Sequence, residues 1–216
     1  MTPLPESDFT RRNFLRLGLV VPASIALAVV GGKAMVDLLG GQPATPATAQ
    51  ELDLTPACDT DPPATIAQTE GPYFTRNSPE RRSLLESGMN GTRLVVAGHV
   101  LSRQCQPVQG ALLDFWQADE AGGYDNVGYR MRGHQFTDES GRYELETVVP
   151  GLYPGRTRHI HVKVQAPNGP ILTTQLYFPG EARNRTDGIY NPALEMAVQD
   201  VESGKNGGFN FVVQAG

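Results

Sequence analysis

Residues 158–178 read Arg158-His159-Ile160-His161-Val162-Lys163-Val164-Gln165-Ala166-Pro167-Asn168-Gly169-Pro170-Ile171-Leu172-Thr173-Thr174-Gln175-Leu176-Tyr177-Phe178. Ile160, Val162 and Val164 alternate with His159, His161 and Lys163, the two-residue period of a strand with one buried face. A second β-rich run, 171–178, follows once Pro and Gly have punctuated the chain. Working outward, similar segments recur at 94–101, 111–117, 133–137, 142–148 and 209–214, and Asp138-Glu139-Ser140-Gly141 reads as a hairpin turn. Seven short strands with no amphipathic helices alternating between them predict an all-β fold, an antiparallel β-sandwich with long loops and little helix. Helical pieces are expected only at 79–87 and 193–202.

The 216 residues are 39% hydrophobic and 19% charged, with 24 Gly and 17 Pro, a globular composition rich in turns. The formal net charge of -5 and the lack of any basic run argue against a nucleic-acid partner. Thr10-Arg11-Arg12-Asn13-Phe14-Leu15-Arg16 precedes a moderately apolar run from Leu17 to Val30, and Ala47-Thr48-Ala49 has the small-x-small form of a cleavage site. This looks like a bacterial twin-arginine export signal. The alternative is a retained membrane anchor, but the apolar run is shorter than the ~20 residues that a spanning helix needs. The expected division is therefore 1–49 as signal and linker and 50–216 as a single domain. The domain is exported to the periplasm or beyond, or tethered to the membrane if the signal stays uncleaved. Two cysteines, Cys58 and Cys105, are then either bridged in an oxidising compartment or kept as buried thiols.

Only four histidines occur, and His159 and His161 share one strand face, where they can converge on a metal or simply decorate a wet surface. His99 and His134 are expected to be structural or exposed. Two imidazoles under-ligate a metal, so further donors are sought among residues at turns. Tyr124 follows Gly122-Gly123, and Tyr153 lies in Pro150-Gly151-Leu152-Tyr153-Pro154-Gly155-Arg156, which leads into the histidine strand.

In order along the chain stand Gln68-Thr69-Glu70-Gly71-Pro72-Tyr73-Phe74, Gly110-Ala111 through Trp116-Gln117-Ala118 to Gly123-Tyr124, Arg132-Gly133-His134-Gln135-Phe136-Thr137-Asp138 with Gly141-Arg142-Tyr143, Pro150 through His161, and Thr174-Gln175-Leu176-Tyr177-Phe178. Taken together they resemble the intradiol ring-cleavage dioxygenases of the protocatechuate and catechol type, over residues 68–178. The resemblance implies one non-haem Fe(III) per chain, held by Tyr124, Tyr153, His159 and His161. It also implies cleavage of a catechol between its two hydroxyl-bearing carbons with O2, giving a cis,cis-muconate type product. Tyr153 is the ligand that leaves with a substrate proton. Arg156, read alone a solvated loop charge, and Gln175 match residues that stabilise charge on the substrate ring. Glu70, Pro72 and Tyr73 fall at the substrate mouth.

Implied partners are a small aromatic diol, O2 and the twin-arginine export machinery, with homo-oligomerisation open. Only about twenty residues separate the expected cleavage point from Gln68, too few for the helical dimerisation region of the catechol-type enzymes. Two other readings stand beside this one. The first is a non-catalytic exported β-sandwich that binds a ligand on the same scaffold. The second is a Zn or Cu protein, which the paired tyrosines disfavour because those metals more commonly use His and Cys.

Overall fold

The computed structural model describes residues 62–215. In chain order its strands are β1 (Arg93–Ser102), β2 (Leu112–Trp116), β3 (Arg132–Phe136), β4 (Arg142–Val148), β5 (His159–Gln165), β6 (Ile171–Tyr177), β7 (Ala197–Val201), β8 (Gly204–Gly208) and β9 (Phe211–Val213). They form two sheets, one ordered β4-β1-β8-β7 with β9 also pairing β1, the other β3-β2-β5-β6. All pairs are antiparallel except β1 with β8 and β1 with β9, which are parallel. The expected all-β sandwich is the observed fold, with its first sheet mixed rather than purely antiparallel.

Alternation along β1 buries Leu94, Val96 and Val100, and along β5 it buries Ile160, Val162 and Val164. With Leu113, Phe115, Leu145 and Phe211 these make one core, each fully buried side chain contributing roughly 1.5–3 kcal/mol of transfer free energy. The Tyr143 hydroxyl is buried in this core and donates to the Phe209 carbonyl at 2.9 Å. Gly98 permits that arrangement, because a Cβ there would lie 1.8 Å from the same oxygen.

The register of the second sheet sorts its other face into rows. His159 pairs with Tyr177; His161 stands between Gln175 and Trp116, and Trp116 pairs with Arg132; the next row holds Thr173, Lys163, Asp114 and His134. Because the side-chain period is two, these residues share the face opposite the apolar core. Ser78 attaches the preceding segment to that face, donating to Asp114 at 2.7 Å and accepting the Nδ1 proton of His134 at its carbonyl, also at 2.7 Å. His134 is thus structural, and His99 occupies a half-buried position of β1.

Two sequence expectations require correction. Residues 79–87 are extended rather than helical: Glu80 bridges His134, Ser83 bridges Glu146, and the Arg81 and Leu84 amides donate to those partners' carbonyls. Residues 193–202 begin in a short 3-10 turn, Pro192–Leu194, and continue as β7. A helix of this length has little stability of its own, so sheet pairing outweighs the propensity of Ala, Leu, Glu and Met. β8 carries no strand signal, being Gly204-Lys205-Asn206-Gly207-Gly208. Its pairing with β1 and β7 decides its conformation.

The segment read as export signal and linker, its cleavage point and Cys58 lie outside the described residues. Cys105 is disulfide-bonded, in a left-handed backbone conformation with φ 57. Among the described residues no helix is long and apolar enough to cross a membrane.

Candidate metal centre

β5 projects both imidazoles from one face, and their Nε2 atoms lie 3.2 Å apart, buried to 2% and 1% exposure of the residues. Burial, and then the positive charge of Arg156, push the His159 pKa down to about 4. His161 is lowered as well, by burial and then by His159. The pair is therefore neutral at pH 7, the state in which imidazole donates a lone pair to a metal. His159 Nδ1 stands 2.7 Å from the Thr157 carbonyl, which can only accept, so the proton sits on Nδ1 and the Nε2 lone pair faces the site. His161 Nδ1 is buried without a partner, and that ring is held by stacking on Trp116 at 4.8 Å with planes 8° apart.

The loop after β2 carries Tyr124. The Asp119 carboxylate accepts from the Ala121 and Gly123 amides at 3.0 and 2.8 Å, curling the loop tightly. Gly122 has φ +89, and a Cβ there would meet the Leu152 carbonyl oxygen at 2.3 Å. The Gly151 amide also donates to the Asp119 carbonyl at 2.7 Å, so the two tyrosine loops are packed together. Their rings meet edge to face with centroids 5.6 Å apart. Tyr153 Oη lies 3.4 Å from His159 Nε2, and Tyr124 Oη is buried with no hydrogen-bond partner. Burial raises the pKa of both phenols; the neighbouring Tyr153 adds to this at Tyr124, and Arg156 opposes it at Tyr153. Both stay protonated unless a strong cation lies between them.

The residues present fit such a cation. Two imidazole nitrogens and two phenol oxygens come together, one of the oxygens orphaned in the protein interior. Among the described residues no three His, Cys, Asp or Glu side chains cluster, so the donor sets usual for Zn or Cu are not assembled. A metal at this place has to use tyrosine oxygen, a hard anionic donor once ionised, and that favours a hard trivalent ion.

Around these four side chains Arg156 donates from Nη2 to Gln175 Oε1 at 2.6 Å and points Nη1 at Tyr153 Oη, 3.4 Å away. Gln175 spends its amide on the Thr69 carbonyl at 3.0 Å. Residues 68–74 pass over the site: a Cβ on Gly71 would sit 3.5 Å from His161 Cε1, Pro72 is exposed, and Tyr73 stacks on Tyr124 at 4.3 Å. Glu70 pairs with Lys163, one row beyond His161. Arg132, 1% exposed, ties this segment to the Tyr124 loop by donating to the Tyr73 carbonyl at 2.5 Å and to the Asp125 carbonyl at 2.6 Å.

Of the eleven residues read from the sequence as site or disulfide candidates, all but Cys58 fall within the described structure. Tyr124, Tyr153, His159, His161, Arg156, Gln175, Tyr73 and Pro72 are gathered at one end of the β3-β2-β5-β6 sheet or in the segment crossing it, and Cys105 lies apart from them. Four further contributors, Trp116, Tyr177, Gln68 and Asp187, are not marked out as site residues by the sequence patterns. The hydroxyl of Tyr177 donates to Gln68 Oε1 at 2.6 Å and lies 3.1 Å from Gln175 Oε1. Strand register with the histidines is the signal that would find Trp116 and Tyr177. Asp187 is in a loop with no pattern to mark it.

Residues 69–214 match the family model described as "Dioxygenase". Among curated proteins the chain is 34% identical over 125 residues to a protocatechuate 3,4-dioxygenase beta chain of Burkholderia cepacia, covering 50% of this chain and 53% of that one. It is 26% identical over 168 residues to a catechol 1,2-dioxygenase of Acinetobacter baylyi, covering 64% and 54%. The matched part spans about half the length of these curated relatives. Among solved structures it is 56% identical, at TM-score 0.70, to the dioxygenase domain of a dioxygenase carbohydrate-binding protein fusion from Streptomyces sp. SirexAA-E, covering 71% of this chain and all of that one. A 3-chlorocatechol 1,2-dioxygenase from Rhodococcus opacus matches at 27% identity and TM-score 0.67, covering 70% and 73%.

Proposed function

The chain belongs to the intradiol ring-cleavage dioxygenase family, and from that premise we propose that it is an exported non-haem Fe(III) enzyme. It cleaves a catechol between its two hydroxyl-bearing carbons with O2, giving a cis,cis-muconate type product. The observation that carries the reading is the convergence of Tyr124, Tyr153, His159 and His161, with Nε2 atoms 3.2 Å apart, Tyr153 Oη 3.4 Å from one of them, and Tyr124 Oη without a partner.

Those four side chains would hold the ion, which when bound supplies a hard Lewis acid that keeps the tyrosines ionised and binds the substrate oxygens. Tyr153 Oη, with Arg156 Nη1 beside it, is the group placed to take one of the two phenolic protons of the catechol. Tyr124, stacked under Tyr73 and enclosed by the Asp119 turn, has no such exit and stays in place. The Nη1 edge of Arg156 offers positive charge to the substrate ring, while Gln175 holds the Nη2 edge. Gly71 leaves room over His161, and Pro72 and Tyr73 form the mouth.

We assign the leading segment, 1–49, to twin-arginine export with cleavage after Ala49, which puts the enzyme outside the cytoplasm. Residues 50–216 are the catalytic domain.

The test is a visible spectrum of purified protein with iron measured in the same sample, before and after anaerobic catechol. The expected result is about one iron per chain and a tyrosinate-to-metal charge-transfer band that moves to longer wavelength with catechol. A protein that stays colourless after reconstitution with iron would overturn the ligand set and leave the binding-protein reading in its place.

A further inference from the structure

Arg156 has five guanidinium protons, and the structure accounts for them unevenly. Nε donates to Asp187 Oδ2 at 2.9 Å, and Nη2 to Gln175 Oε1 at 2.6 Å with the Tyr177 hydroxyl at 3.5 Å. Nη1 makes only the long contact to Tyr153 Oη at 3.4 Å. Gln175 is itself fixed by the Thr69 carbonyl, so the plane of the guanidinium is set at two edges, Nη2 on Gln175 and Nε on Asp187.

Asp187 is well built for that task. Its side chain is 2% exposed and that of Arg156 17%, so solvent screens the pair little. The oxygen that accepts from Arg156 also accepts from the Thr157 amide at 2.8 Å, and the other oxygen accepts from the Ile189 amide at 3.1 Å. The Ile189 carbonyl accepts from the Gln68 amide at 2.6 Å and lies 3.1 Å from the Tyr177 hydroxyl. From the short 3-10 helix just before it, Ala182–Arg185, Arg183 donates to the carbonyls of Tyr153 at 3.0 Å and Arg156 at 3.3 Å. The loop carrying Asp187 is thereby fastened both to the segment that bears Tyr153 and to the one that crosses the site.

We propose that Asp187 is a positioning residue for ring cleavage: by taking the Nε edge of Arg156 and anchoring it to Thr157, it leaves the Nη1 edge as the one part of the guanidinium facing Tyr153 Oη and the bound ligand. The inference rests on the function proposed above. It places in the reaction a residue that touches neither metal nor substrate and acts through Arg156.

The test is a double-substitution cycle in the iron-loaded full chain, comparing wild type, Asp187→Asn, Arg156→Lys and the pair. Iron content, anaerobic catechol affinity and kcat are each measured. Asn is isosteric and can still accept from Thr157 or Ile189, so the expected Asp187→Asn protein keeps one iron per chain and binds catechol within about threefold of wild type, while kcat falls about tenfold. In the Arg156→Lys background the same change is expected to move kcat by less than about twofold, because the group it positions is already gone. A readout independent of turnover is hydrogen exchange at the Arg156 Nε proton in iron-free protein, slow in wild type and fast in Asp187→Asn.

A kcat within about twofold of wild type in Asp187→Asn, or losses that multiply in the pair, would overturn the inference. If Asp187→Asn does not fold, Asp187→Ser, which withdraws the carboxylate from Arg156 Nε, takes its place, and an unchanged kcat there overturns the inference equally. An iron-loaded wild type that turns over no catechol instead refutes the function on which the inference rests.

Discussion

Trp116 lies flat against His161, ring centroids 4.8 Å apart and planes within 8°, while the Nδ1 of that histidine has no hydrogen-bond partner. The two imidazoles of the site are thus held by different means. His159 is oriented by the Thr157 carbonyl and His161 by an aromatic face. Cross-strand pairing of Trp116 with His161 makes the stack a consequence of sheet register.

Replacing Trp116 by Leu removes that face while keeping an apolar side chain. The expected outcome is a folded protein with metal affinity lowered about tenfold, the range seen when a group supporting a metal ligand is lost. Competition with a chelator measures it, and Trp116→Phe, which keeps a ring, should recover most of the difference. Equal iron retention in Trp116→Leu and wild type would show that the stack does not hold His161.

Gly122→Ala sets a methyl group against the Leu152 carbonyl, where a Cβ would lie 2.3 Å from the oxygen, in a backbone at φ +89. The Tyr124 and Tyr153 loops must separate. Iron binding and the charge-transfer band are expected to fall sharply, while far-ultraviolet circular dichroism keeps the signature of the sandwich, whose strands do not include this loop.

Arg132 is 1% exposed and gives its donors to backbone carbonyls of Asp125 and Tyr73. Arg132→Met fills similar volume but leaves those carbonyls unpaired. We expect a loss of about 3 kcal/mol in urea unfolding, from the deserted acceptors, together with weaker iron binding because both segments loosen. Unchanged stability would mean that water replaces the guanidinium.

The hairpin at Asp138 supplies a pH test outside the candidate metal centre. Its carboxylate accepts from the Ser140 hydroxyl at 2.7 Å and from the amides of Arg142 and Ser140, each at 2.9 Å, which together hold its pKa below the usual carboxylate value. A folded-state pKa lower than the unfolded one gives stabilisation that is present above the unfolded value and lost as pH falls through the folded one. Asp138→Asn should therefore differ from wild type near neutral pH and converge with it in acid, below the ordinary carboxylate range. Chemical unfolding at several pH values checks this, and a constant offset down to the lowest pH would remove the carboxylate from the explanation.

Strand alternation makes most of the sandwich legible in the amino-acid sequence. Residues 142–148 coincide with β4, and the other expected strands shift by a residue or two at their ends. The Gly-rich β8, and β7, which follows directly on the helix-favouring Ala193-Leu194-Glu195-Met196, are not legible in this way, because their conformation comes from pairing with β1 and with each other. At the site, two histidines two apart on a strand and two tyrosines in Gly and Pro turns carry local signals. Gln68 and Trp116 stand in quoted motifs and Asp187 in none, but the part each plays at the site is not legible locally, since each acts through a partner far away in the chain.

The sequence by itself determined the all-β class, the face on which His159 and His161 stand, and the family resemblance that joins them to Tyr124 and Tyr153. Periodicity is a local property, written in neighbouring residues. Only the tertiary structure decided that the two tyrosine loops pack against each other, that Trp116 supports one histidine and Thr157 the other, and that a buried carboxylate from residue 187 aims Arg156. Those are long-range contacts, set by register and burial across segments that no spacing in the chain relates.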